Sequence, residues 1–185
     1  MAVLQQDRLA EGLVIIAVLA AAVGVRADAC RLGLWADPAR TAVCVTVAPG
    51  ELFTWEAFAA PAAGQGLAYA TFRLRIPPTV TLVGRPRLTA AASELIATPF
   101  ADGTLEWNVI VTGCPADWTH VFSQDARVAG PDPAVLEIVA GNSLVRDCRF
   151  VLEGIEVAAV VRVNDPGCPV GAPGPCWGTL KSRFR

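Results

Sequence analysis

From residue 30 onward, apolar and polar residues alternate in short bursts. Val43, Val45 and Val47 form one stripe, and Phe53, Trp55 and Ala57 the next. Ala70, Phe72, Leu74 and Ile76 alternate with Thr71, Arg73 and Arg75, and Leu105, Trp107, Val109 and Val111 follow later. A period of two is that of a strand with one buried face. Further short apolar runs occupy residues 80–83, 95–96, 118–122, 135–139, 150–152 and 155–163. Between them lie Pro77-Pro78, Gly130 to Pro133, Gly141-Asn142 and the bend at Gly154, together with Asp102-Gly103, a dipeptide favoured by tight hairpins. Only residues 88–96, rich in alanine, read as a short helix. Roughly eight to ten short strands, with a turn every 8 to 12 residues or so, predict an all-β antiparallel sandwich or barrel.

The start of the chain has a different pattern. Residues 12–25 are an almost unbroken apolar run, followed by Arg26-Ala27-Asp28-Ala29-Cys30. The run falls short of the roughly 20 residues that span a bilayer. Small residues stand where a signal peptidase reads, so the segment reads as an export signal cleaved after Ala27 or Ala29, with an uncleaved anchor as the alternative. The expected organisation is a signal peptide over 1–29, a β-sandwich over 30–166, and a disulfide loop with a tail over 167–185. In that tail Trp177, Leu180 and Phe184 share a helical face, and Lys181, Arg183 and Arg185 supply positive charge. The expected location is secreted, periplasmic or at the cell surface.

Export gives the cysteines a role. All six, Cys30, Cys44, Cys114, Cys148, Cys168 and Cys176, follow the signal, and an even number in an oxidising compartment implies three bridges. A hairpin turning at residues 36–40 would set Cys30 opposite Cys44. Cys168 and Cys176 flank a Pro/Gly-rich loop, which leaves Cys114 for Cys148. Cys30 could instead carry a lipid anchor, at the cost of an odd thiol.

Charge and motifs narrow the chemistry. A formal net charge of −2 gives no basic surface for nucleic acid. His120 is the sole histidine, and with Ser123 it makes the only close serine–histidine pair; no nucleophile-elbow motif frames any serine. Zinc lacks closely spaced ligands. Calcium could use Asp125 and Asp132, and paired acids such as Asp102 and Glu106 could serve glycoside hydrolysis, but neither pattern forms a motif. No catalytic residue, metal or cofactor is therefore assigned. Trp55 and Trp107 sit in apolar stripes and belong to the core. Trp35, Trp118 and Trp177 lie beside turns or cysteines and are the candidate ligand-binding aromatics, a stacking platform for a glycan.

The stretch Pro49-Gly50-Glu51-Leu52-Phe53-Thr54-Trp55, then Gly66-Leu67-Ala68-Tyr69-Ala70-Thr71-Phe72-Arg73-Leu74, resembles the early strands of cohesin-like and carbohydrate-binding-module-like β-sandwiches. Where cohesins continue with a Tyr-Asp pair, this chain has Ile76-Pro77-Pro78. The C-terminal Trp177-Gly178 to Phe184-Arg185 segment is similar to the endings of exported bacterial proteins. The resemblance implies a jelly-roll or cohesin-like sandwich. The expected function is that of an exported, non-enzymatic module that binds a glycan or an extracellular protein, or serves a surface or structural role. The alternatives are a small secreted hydrolase and a surface protein lipidated at Cys30. Membrane contact is expected only through the signal or that lipid.

Overall fold

A computed structural model describes residues 29–168. The first strands are β1 (Cys30–Trp35), β2 (Cys44–Val45), β3 (Leu52–Ala60), β4 (Leu67–Arg75) and β5 (Val80–Leu88). There follow β6 (Ala92–Pro99), β7 (Thr104–Val111), β8 (Thr119–Val128) and β9 (Ala134–Ile138). After one 3-10 turn at Ala140–Asn142 come β10 (Leu144–Asp147), β11 (Leu152–Glu153), β12 (Ile155–Ala159) and β13 (Val161–Val163). The expected all-β sandwich is present, with more strands than the alternation predicts because β2, β11 and β13 are too short to show a period.

The first sheet has the order β12-β1-β3-β8-β5. In the second, β4 is central: β7 and then β6 lie on one side, while β10 and β9 share the other. Most pairs are antiparallel, but β1–β12 and β2–β13 are parallel. The two ends of the domain thus run side by side. Both change sheets together, β1 to β2 and β12 to β13.

The inward stripes meet as period two requires. Trp55 and Phe122 from the first sheet interlock with Phe72 and Trp107 from the second, with ring centroids 5.5–5.6 Å apart. All four rings are buried. A bulge in β8 turns both Val121 and Phe122 inward, which brings Phe122 against three other rings. The edge strand β5 is interrupted by Gly84-Arg85-Pro86, where its pairing with β8 skips. Proline and arginine there blunt an edge open to further pairing.

Two local expectations are corrected. Residues 88–96 are not a helix: β6 pairs along β7, with Leu95 opposite Val109, across the Asp102-Gly103 hairpin. Alanine's helix preference is outweighed by a long partner strand. Nor do residues 36–40 close a hairpin. Asp37 accepts hydrogen bonds from the backbone N–H groups of Thr41 (2.8 Å) and Ala42 (3.1 Å), and this turn hands the chain to the other sheet. Cys30 is therefore level with Ile155, while Cys44 is level with Arg162, further along the same segment.

The disulfides follow from this topology. Cys44 pairs with Cys168 (Cα–Cα 5.7 Å), which overturns both the Cys30–Cys44 and Cys168–Cys176 assignments. Cys114 pairs with Cys148, as expected (Cα–Cα 5.9 Å). Cys30 is fully buried and has no disulfide partner among the described residues. Burial pushes its thiol pKa up. The signal segment, Cys176 and Trp177 lie outside the described residues.

Candidate functional site: two outer faces

Each sheet has an outward face, and the two are built differently. On the first sheet, alternation turns Trp35, Phe58, Glu56, His120, Ser123 and Asp125 away from the core. Trp35 lies back over Gly33, where a Cβ would come within 2.4 Å of its ring. Trp35 also meets Phe58 and Trp118 edge-on at 5.3 and 5.2 Å, and Phe58 stacks on His120 at 4.6 Å. The Arg40 guanidinium sits 5.2 Å from Trp118, 5.6 Å from Phe58 and 6.0 Å from Trp35, and Arg31 lies 5.1 Å from Trp118. Cation–π attraction of this kind holds the arginines on the rings.

The structure therefore brings together two of the three tryptophans singled out from the sequence, but not as an open platform. Trp35 is only 8% exposed and Trp118 is half-buried.

Beside the aromatics runs a polar strip. Glu56 accepts from Ser123 Oγ at 2.5 Å and lies 2.7 Å from His120 Nε2. Burial alone would raise the Glu56 pKa, but the His120 and Ser123 hydrogen bonds outweigh it and hold the carboxyl below its ordinary value. Ser123 Oγ is 3.4 Å from the same His120 nitrogen. A hydrolase relay needs one histidine nitrogen for the nucleophile and the other for the acid. Here a single nitrogen faces both, and the serine donates to the carboxylate. The arrangement is a hydrogen-bonded cluster rather than a nucleophile relay.

Of the other candidate carboxylates, Asp132 is exposed in the loop before β9, while Asp125, Asp102 and Glu106 are already engaged. Asp125 receives both Arg87 amino groups (2.5 and 2.9 Å) and Thr54 Oγ1 (2.6 Å), and these hold its pKa down. Calcium would have to displace Arg87. Asp102 binds Thr104 and Arg73, while Glu106 accepts from Asn108. No group of three His, Cys, Asp or Glu side chains able to hold a metal occurs among the described residues.

The outer face of the second sheet is open. Register aligns Glu94, Ile110, Tyr69, Arg146 and Leu152 in one row across β6, β7, β4, β10 and β11. Ile96, Asn108, Thr71 and Leu144 form the next row. Asn108 Oδ1 accepts from Tyr69 (2.5 Å) and Thr71 (2.9 Å), which fixes the polar centre. Around it the apolar side chains are uncovered: Ile96 is 52% exposed, Ile110 41%, Leu152 59% and Phe150 71%. Ala68, Tyr69, Ile110, Arg146 and Phe150 line a cleft of about 390 Å³.

Phe150 is held in place by its turn. It adopts φ +62°, a left-handed backbone rare for an aromatic residue. Its N–H donates to the Asp147 carbonyl (2.8 Å). The buried Asp147 carboxylate accepts from the N–H groups of Arg149 (2.9 Å) and Val151 (2.8 Å) and from Arg149 Nε (2.8 Å). Burial opposes its ionisation, but these donors prevail and keep its pKa low.

The sequence reading missed this face. The available signal was Ile110, an apolar residue at the outward parity of a strand whose core stripe is Leu105, Trp107, Val109 and Val111.

No family model matches the sequence, and neither does any curated protein. Solved structures do match. A cohesin module from a family 33 glycoside hydrolase of Clostridium perfringens has a TM-score of 0.59 at 11% identity, covering 74% of this chain and 98% of that one. The sixth cohesin of Acetivibrio cellulolyticus scaffoldin B, solved in complex with a dockerin, has a TM-score of 0.57 at 13% identity, with coverages of 74% and 98%. A Clostridium acetobutylicum cohesin, CaCohA2, has a TM-score of 0.58 at 8% identity, with coverages of 77% and 94%. The fold is a cohesin-like β-sandwich. At these identities the likeness shows the fold alone.

Proposed function

We propose that this protein is an exported, non-enzymatic binding module that engages an extracellular protein through the outer face of its second sheet. The observation that carries this reading is the uncovered apolar group Ile96, Ile110, Phe150 and Leu152 around a fixed polar centre. Exposed apolar side chains grouped on one sheet face mark interaction sites. The dockerin complex of a structural neighbour adds support for a protein partner. Two disulfides favour an oxidising compartment.

A glycan platform at Trp35 and Trp118 is less favoured, because Arg40 and neighbouring rings cover the faces a sugar would stack on. Lipidation at Cys30 would require a fully buried thiol to leave the core.

The test is selection of binders from a displayed random peptide library on the oxidised full chain. The selected peptides are then titrated against Ile110→Asp. Placing a charge at the centre of the interface should weaken them by about thirtyfold or more, the scale of a hot-spot loss, with an unchanged circular dichroism spectrum. Equal binding to both proteins would overturn the assignment of the face.

A further inference from the structure

We infer that the cleft beside Phe150 takes an apolar side chain of a protein partner and that Arg146 takes a carboxylate next to it; this rests on the binding face proposed above. Charge is the first argument. Arg146 lies exposed on the cleft rim, 5.9 Å from the Tyr69 ring, with no carboxylate within ion-pair distance among the described residues. The other arginines on this face are matched: Arg73 by Asp102 and Arg75 by Glu137. Arg149 has Asp147. An apolar cleft with one unmatched cation at its rim is complementary to an acidic residue flanked by a large apolar one.

Pre-organisation is the second argument. The Phe150 wall is set by the Asp147 turn and by its neighbour Cys148, which is bridged to Cys114 and whose N–H donates to the Gly66 carbonyl (3.0 Å). A 71% exposed phenylalanine in a left-handed conformation gains little from its own fold. Such outliers persist where the surroundings impose them, and they cluster at binding sites. A wall already in place spares a partner the cost of ordering it. The cleft is open and lies on an exposed sheet face, which suits a protein segment better than a small enclosed ligand.

The same library selection tests this on the oxidised full chain. Enriched peptides should carry Asp or Glu beside Leu, Ile, Phe or Trp. Arg146→Glu should weaken them about tenfold or more. A synthetic version of the best peptide with its acid changed to lysine should bind Arg146→Glu better than the wild type. Peptides that depend on Ile110 but ignore Arg146→Glu and the charge swap would overturn this inference and leave the binding face standing. An absence of binders sensitive to Ile110→Asp or Phe150→Ala would overturn both.

Discussion

The two outer faces carry similar raw material, aromatics, arginines and carboxylates, arranged to opposite ends. On the first sheet the polar strip of Glu56, His120, Ser123 and Asp125 is internally paired, and Trp35 is sealed under Arg40, Phe58 and Trp118. On the second, Ile96, Ile110 and Phe150 are left uncovered and Arg146 unmatched. A residue that faces away from the core is thus not thereby a binding residue. What decides is whether the same chain supplies its cover.

Substitutions can break this contrast. The largest expected effect is on the sealed face. Trp35→Ala removes the ring that Gly33, Phe58 and Trp118 pack around, and should cost about 3 kcal/mol of unfolding free energy in urea. A loss below about 0.5 kcal/mol would mean that the aromatic cluster is ornamental and the face free to bind.

An intermediate effect is expected at the polar strip. Glu56→Ala leaves His120 and Ser123 without their acceptor and should cost about 1–2 kcal/mol. Glu56 and Asp125 both have carboxyl pKa values held down in the folded protein. Their stabilising contribution is complete above the ordinary carboxylate range and drains away as pH falls below about 4, through the depressed folded values. Glu56→Gln should therefore flatten the acid limb of a melting-temperature profile. An unchanged acid limb would contradict the cluster geometry.

The smallest stability effect belongs to the open face. Phe150→Gly suits φ +62° but adds freedom to the unfolded chain, so the two terms offset to within about 1 kcal/mol. Binding of selected peptides should nonetheless fall. A clear loss of stability with binding retained would make Phe150 a structural residue.

Much of the fold was legible because parity is legible. Trp55 and Trp107 read as core, and both are buried. The Asp102-Gly103 turn read as a hairpin, and it joins β6 to β7. Cys114 was matched to Cys148 by what the other assignments left over, and the bond is there although those assignments were not. The Cys30–Cys44 pairing failed because Ala36-Asp37-Pro38 has the composition of a hairpin turn, while Asp37 builds a turn that crosses to the other sheet. Among the described residues, the face proposed for binding holds none of the tryptophans, the most conspicuous aromatics in the sequence. Its real marker was a single isoleucine on the wrong side of an alternating strand.

Alternation by itself determined that this chain is an all-β protein and which residues fill its middle, because a strand's inward positions recur at every second residue whatever its neighbours. Tertiary structure alone decided which cysteines meet, and which outward residues are covered. Those outcomes depend on segments far apart in sequence: Arg40 reaching over Trp35 and Trp118, and Cys168 returning to Cys44. Local pattern holds no record of such distant encounters.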